Sequence, residues 1–198
     1  MNQTLRFLQQ ENARLQAENK QLQDDLDLLR DYLSALNKLD DAADQLVSEE
    51  ELVPLLDKIL YYALTISDSS DGSVVLLDDE TDELVFSIVR GRIESKLTNF
   101  RMPKTQGVAG WVVTRGRPVI VNDVEQDMRF SPQVDRLFGY ETRSILCVPL
   151  KIGQRILGAI SLFNKSSGAN FSEIDQSLLS ILARVAAFAL VRFEEETD

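Results

Sequence analysis

Five leucines spaced seven residues apart, Leu8, Leu15, Leu22, Leu29 and Leu36, open this chain. A seven-residue repeat nearly closes two turns of an α-helix, so these side chains line one narrow stripe that a second helix can cover. Taken as the d positions of a heptad, they place Leu5, Asn12, Asn19, Leu26 and Leu33 at a. A buried amide is costly unless it meets its own counterpart, which happens best between parallel, in-register helices. The stretch therefore predicts a parallel homodimeric coiled coil, in which Asp25 at g attracts Arg30 at the following e′ of the partner helix. A helix packed on its own domain is the competing reading, and it calls for a broader apolar stripe than a strict a/d seam. A trimer is a further alternative.

The seam fails at Asp40, and Ser48 followed by Glu51 has the spacing of a capping box that opens another helix running through Ile66. Pro54 inside it either kinks that helix or marks its first turn. The expected organisation is a coiled-coil helix over residues 1–44, one domain over 45–192 and an acidic tail over 193–198. A chain of 198 residues with 44% apolar content can bury one sizeable core of that kind.

The net charge of -11 argues against nucleic acid and anionic membrane surfaces as partners, because phosphate-tracking proteins need a surplus of Lys and Arg. The charge is uneven: residues 90–155 carry 12 basic and 6 acidic side chains, a cationic island in an acidic chain. With no histidine, Ser-His and Cys-His nucleophiles, His-ligated haem and His-containing zinc sites are excluded. A single cysteine, Cys147, cannot form an internal disulfide. The N-terminus has no signal-peptide pattern, and no apolar run approaches the roughly 20 residues that span a bilayer, so the expected location is the cytoplasm.

From Gly72 onward the apolar residues come in strand-length runs at 73–78, 84–91, 118–123, 143–150 and 155–164. "DDETDE" joins the first two runs and "KIGQ" the last two as hairpins, which predicts a largely antiparallel sheet in an α+β domain. "QGVAGWVVTRG" and the stretch around "SPQVDRLFGY" read as helical, and a final helix is expected from Ser172 to about Glu195. Its alanines at 183, 186, 187 and 189 would admit a second helix at close range.

The run "GVAGWVVTRGRPVIVNDVEQDMRFSPQVDRLFGYETRSILCVPL", followed by "ILGAISLFNK" and "NFSEID", resembles the GAF domains, most closely those of cyclic-nucleotide phosphodiesterases and cyanobacterial adenylyl cyclases. The resemblance covers residues 45–192 and implies a central antiparallel sheet flanked by helices, with a small-molecule pocket under a lid of loops. It also implies terminal helices that form a dimeric bundle and carry signals. The family's cyclic-nucleotide motif, Asn-Lys, a spacer, Phe, three residues and Asp-Glu, is matched at Asn164, Lys165, Phe171 and Asp175, with Gln176 in place of the final Glu. Asp175 in the first turn of the last helix, with Ser172 as N-cap, suits the helix dipole, and Lys165 can pair with it. On that account the motif ties strand to helix; direct contact with a ligand is the alternative.

The family's ligand contacts map onto Ser73 in the first strand, Ala109 at a helix start, Asp135 in the lid and Thr142 before the next strand. Arg90, Phe138 and Ser161 occupy contact positions with departures from the family's residues, and Asn122 and Asp123 open the lid segment and complete the candidate set. Val89 and Arg90 stand where the family has Phe-Asp. Each lost stacking or hydrogen-bonding partner would cost on the order of 1–3 kcal/mol, which weakens the case for a cyclic nucleotide. The glycines of "QGVAG" open a helix whose free N–H groups suit an anionic ligand.

The expected function is a dimeric sensory module that binds a small, anionic or cyclic-nucleotide ligand and signals to a separate protein, since no kinase, cyclase or DNA-binding segment follows residue 198. The alternative is a ligand-free adaptor whose pocket is filled by side chains such as Phe130 and Phe138. Catalysis is not expected: the GAF branch that reduces free methionine sulfoxide resolves a sulfenic acid with a second cysteine, and this chain has one, inside the apolar run "ILCVPL". No haem, bilin or metal cofactor is expected, the bilin for want of a Cys-His pair.

Overall fold

The computed structural model describes residues 7–23, 49–92 and 94–197, together with Leu26, Arg30 and Leu33. The chain divides into two compact units, Met1–Lys38 and Leu39–Asp198. In the first, residues 7–23 are helical, and Leu8, Leu15 and Leu22 are each more than half exposed on the single chain. Asn12 and Asn19 are exposed as well. Leu5, Asp25, Leu29, Leu36 and Ser48 lie outside the described residues, so the lower seam, the Asp25–Arg30 pair and the Ser48 cap do too.

The second unit is built on a six-stranded antiparallel sheet. Its elements are α1 (Glu49–Ile66), β1 (Ser69–Asp78), β2 (Glu83–Arg90), α2 (Glu94–Leu97), β3 (Arg101–Pro103), α3 (Gly107–Arg115), β4 (Val119–Val121), α4 (Gln133–Phe138), β5 (Ile145–Ile152), β6 (Arg155–Lys165) and α5 (Glu173–Thr197). The strand order is β3-β2-β1-β6-β5-β4, so the outermost strands have three residues each. The β1–β2 and β5–β6 hairpins form where the polar turns stand. β1 begins at Ser69, earlier than the apolar run, because Ser69 and Asp71 pair with Lys165 and Phe163 of β6 despite their polarity. Pro54 lies inside α1, whose helix begins by Glu49.

Period-two alternation gives the sheet two different faces. One face carries Leu146, Ile160 and Leu162, all fully buried, and receives α1 and α5 through Leu56, Ile59, Leu60, Leu179 and Leu182. Gly72 permits the closest approach: a Cβ there would stand 3.1 Å from the side chains of Leu60 and Leu64 and 2.9 Å from the Ser161 carbonyl oxygen. The segment Glu173–Glu195 has a mean hydropathy of 1.6, enough by length and composition to cross a membrane, and 44% of its apolar window is buried in the domain. Packing on the sheet covers less than half of that window, and the expectation that no apolar stretch approaches a bilayer-spanning length does not hold for this helix.

The other face carries Ser73, Val75, Ile145, Cys147, Ala159 and Ser161, covered by α3 and by residues 122–143 between β4 and β5. α3 fits closely against the backbone before it, where a Cβ at Gly110 would come within 2.7 Å of the Lys104 carbonyl oxygen.

Candidate functional site

Between this second face, α3 and the 122–143 lid lies a cavity of about 80 Å3. Its walls are apolar at Val75, Phe86, Val108, Phe130 and Phe163, with polar groups at a few points. Ser73 and Ser161 face it from adjacent strands, being direct cross-strand partners in the β1–β6 ladder. Ser161 Oγ donates to Cys147 Sγ at 3.1 Å, whereas the Ser73 hydroxyl is open to the cavity and has no partner among the described residues. Gly107, Val108 and Ala109 bring the start of α3 to the same cavity. Gln106 precedes them in an extended conformation and makes no side-chain cap, so the first amides of α3 are left to other acceptors.

The lid is held by its own polar contacts. Asp135 accepts from Thr142 N at 2.8 Å and from Thr142 Oγ1 at 2.9 Å, which fastens α4 to the strand that follows. Gln106 Nε2 donates to Gln133 Oε1 at 3.1 Å, and the Arg129 guanidinium lies 4.7 Å from the Trp111 ring centroid, both joining lid to α3. Asp127 holds that guanidinium in place, and Arg129 in turn keeps the Asp127 carboxyl below its ordinary range.

A buried polar knot closes one end of the cavity. Asp71, almost fully buried, accepts from Arg92 N at 2.9 Å, from the Arg92 guanidinium at 3.2 Å and from Ser70 Oγ at 3.0 Å. Burial pushes its pKa up, but these bonds and one with Tyr140 outweigh it, so the carboxyl titrates below its usual range. Tyr140 is shifted upward, first by burial and then by the Asp71 charge. Gly91, at φ +115°, makes the arrangement possible, since any Cβ there would overlap the Asp71 carboxylate.

Of the residues expected at a ligand, Ser73, Ala109, Asp135, Thr142 and Ser161 border the cavity. Arg90 borders it too, but its guanidinium does not serve it. Arg90 pairs with Gly72, whose Cβ direction meets α1, so the side chain projects to the α1 face and binds both Asp57 oxygens at 2.7 and 2.6 Å. Asn122, Asp123 and Phe138 do not line the cavity. Asn122 bonds the backbone of Phe171, Asp123 caps a short turn through Glu125 N at 3.2 Å, and Phe138 meets Phe100 edge-on at 5.2 Å. Sequence reasoning missed Asp71 and Tyr140; Asp71 stands two residues before Ser73, hence on the same strand face, which was the available signal.

The Asn-Lys-Phe-Asp motif sits beside the lid and outside the cavity lining. Lys165 Nζ is 2.9 and 2.8 Å from the two Asp175 oxygens, and Asp175 Oδ2 accepts from Ser172 N and Oγ at 2.7 and 2.8 Å. Phe171 is buried, with Lys165 Nζ 5.7 Å from its ring centroid. No group of three or more metal-ligating side chains occurs among the described residues.

A family model described as GAF domain matches residues 49–191. A probable 3',5'-cyclic phosphodiesterase, pde-5, of Caenorhabditis elegans is 28% identical over 142 residues, which is 67% of this chain and 19% of that protein. The chain thus spans less than a fifth of that relative's length. Among solved structures, the GAF domain of a phosphoenolpyruvate-protein phosphotransferase from Coxiella burnetii superposes with a TM-score of 0.73 at 18% identity, covering 84% of this chain and 96% of that one. Free methionine-R-sulfoxide reductase from Neisseria meningitidis superposes with a TM-score of 0.65 at 23% identity, over 84% and 90% of the two chains. These two likenesses speak to the fold.

Proposed function

The chain belongs to the GAF domain family, and from that premise we propose that it is a dimeric, cytoplasmic sensor module. A small molecule binds under the lid, and the terminal helices pass the event to a separate signalling protein. The observation that carries this reading is the meeting of the Ser73 hydroxyl, open to the cavity, with the uncapped start of α3 at that same cavity. Both are groups that a polar ligand satisfies.

The likeness to a cyclic phosphodiesterase makes cyclic nucleotides the first ligands to try. The cavity of about 80 Å3 is small beside the roughly 300–1,000 Å3 of typical ligand pockets, so a nucleotide requires the lid to move outward. That same smallness favours the second reading, an adaptor whose cavity stays closed around Phe130.

Association is supported by side-chain placement. The described leucines of the N-terminal heptads, Leu8, Leu15, Leu22, Leu26 and Leu33, are exposed, and on α5 Ile174, Ile181 and Phe188, again seven apart, are 72%, 44% and 40% exposed. Both stripes fit a second copy of the chain. Thiol catalysis is no part of this reading: Cys147 is fully buried, and burial pushes its thiol up to about 12, with the Ser161 hydrogen bond opposing in part.

Mass spectrometry of the purified protein for a retained small molecule, with thermal unfolding in cAMP, cGMP and other nucleotides, tests the reading. A ligand at 100 times its Kd adds about 2.7 kcal/mol, or roughly 2–4 °C at this size. No retained molecule and a flat response to every nucleotide would leave the adaptor. Sedimentation should give a single dimeric species; a monomer at micromolar concentration would remove the pairing from either reading.

A further inference from the structure

Both ends of the lid are fastened to one short segment, residues 164–175, which runs from the last residues of β6 into the first turn of α5. At the N-terminal end, the Asn122 side-chain amide pairs with the Phe171 backbone in both directions, Nδ2 donating to the carbonyl at 3.1 Å and Oδ1 accepting from N–H at 2.8 Å. At the C-terminal end, Asn164 Oδ1 accepts from Arg143 N at 2.8 Å and Ser144 N at 3.1 Å, while Nδ2 donates to the Glu141 carbonyl at 2.8 Å and Tyr140 Oη at 3.3 Å. Asn164 is itself held at φ +49°, with its N–H on the Ser144 carbonyl at 3.1 Å.

The remainder of the segment is fixed to α5. Lys165, next to Asn164, forms the ion pair with Asp175, and Asp175 closes the cap with Ser172, next to Phe171. The lid is therefore attached through two asparagine amides to the residues immediately before the two ends of that cap. A displacement of the lid ends must either break these bonds or carry the start of α5 along.

We propose that Asn122 and Asn164 are paired positioning residues that couple the lid to the N-terminus of α5, so that lid movement is converted into movement of the terminal helix. This rests on the reading of residues 122–143 as a ligand-responsive lid, and it names how that site reaches the helices. Neither asparagine touches the ligand: Asn122 and Asn164 both lie outside the cavity lining.

The test needs no ligand. Asp135→Ala removes the two bonds to Thr142 and loosens the lid at a residue that has no hydrogen bond to either asparagine side chain. Hydrogen exchange in the full chain then reads the amides of residues 173–178. The expected result is an acceleration there on the order of tenfold from Asp135→Ala alone, and at least about threefold less when Asn122→Ala is already present. Equal acceleration in both backgrounds overturns the proposal, as does faster exchange in the lid with none at 173–178. Asn164→Ala should suppress the response further; if that variant does not fold, the Asn122 cycle decides alone, because Asn122 is exposed. A protein that binds no nucleotide yet shows this non-additivity would retire the sensor reading and keep the mechanical link.

Discussion

The two faces of the sheet are made from the same strands and do opposite things. On the α1/α5 face, Leu146, Ile160 and Leu162 meet Leu56, Ile59, Leu60, Leu179 and Leu182, each less than 2% exposed, in an aliphatic layer. On the lid face, the intervening residues include Ser73, Ser161 and Asp71, and the cover is a loop with a cavity beneath it. One face supplies cohesion, and the other sacrifices some of it to keep polar groups and space at hand. Strand periodicity makes this division possible, because one-residue steps separate the two environments.

Three measurements would break or sharpen that contrast. Leu60→Ala, on the fully packed face, should cost about 2–5 kcal/mol in chemical denaturation, since a fully buried leucine leaves a hole the neighbouring helices only partly close. A loss below about 1 kcal/mol would mean that the helix face is as loose as the lid face. A smaller effect follows from Cys147, buried on the lid face. Its thiol ionises at about 12 when folded and near 9.0 when unfolded, so the folded state holds its proton longer. That contribution is complete below pH 9 and falls as the pH rises toward 12, by up to about 1.4 kcal/mol per pH unit. Urea unfolding at pH 8 to 10.5 should show the decline in the natural chain and a shallower one in Cys147→Ala; identical slopes would place the thiol in contact with solvent. The smallest effect is expected for Ser73→Ala, within about 0.5 kcal/mol, because the hydroxyl has no partner to lose among the described residues. A cost above about 1 kcal/mol would assign that hydroxyl to the fold instead of to a ligand.

Strands and hairpins were legible because the sheet is buried on both sides and its apolar runs are bounded by Asp-rich or Gly-containing turns, as at residues 78–83 and 151–154. The three residues of β3 escaped notice, being too short for any period to register, and they hold their place through pairing with Glu83, Leu84 and Val85. At the site, the resemblance placed Ser73 at the cavity, whereas the Arg90 guanidinium it put there turns away. A bulge between Val74 and Val75 shifts the β1–β2 register, and the pairing of Arg90 with Gly72 turns it toward Asp57. Asp71 was hidden because a buried carboxylate is legible only once its partners, Arg92 and Tyr140, arrive from elsewhere in the chain. The roles of Asn122 and Asn164 lie in side-chain bonds to backbone atoms 49 and about 20 residues away, which no local pattern encodes.

The brevity of β3 and β4, three residues each at the two borders of the sheet, has its own consequence. So short a row of unpaired backbone groups gives an incoming strand little to template on, which guards the domain against edge-to-edge aggregation and sheet extension. Any association of the domain is thereby steered to side-chain surfaces, where a sequence can tune strength and choice of mate one residue at a time.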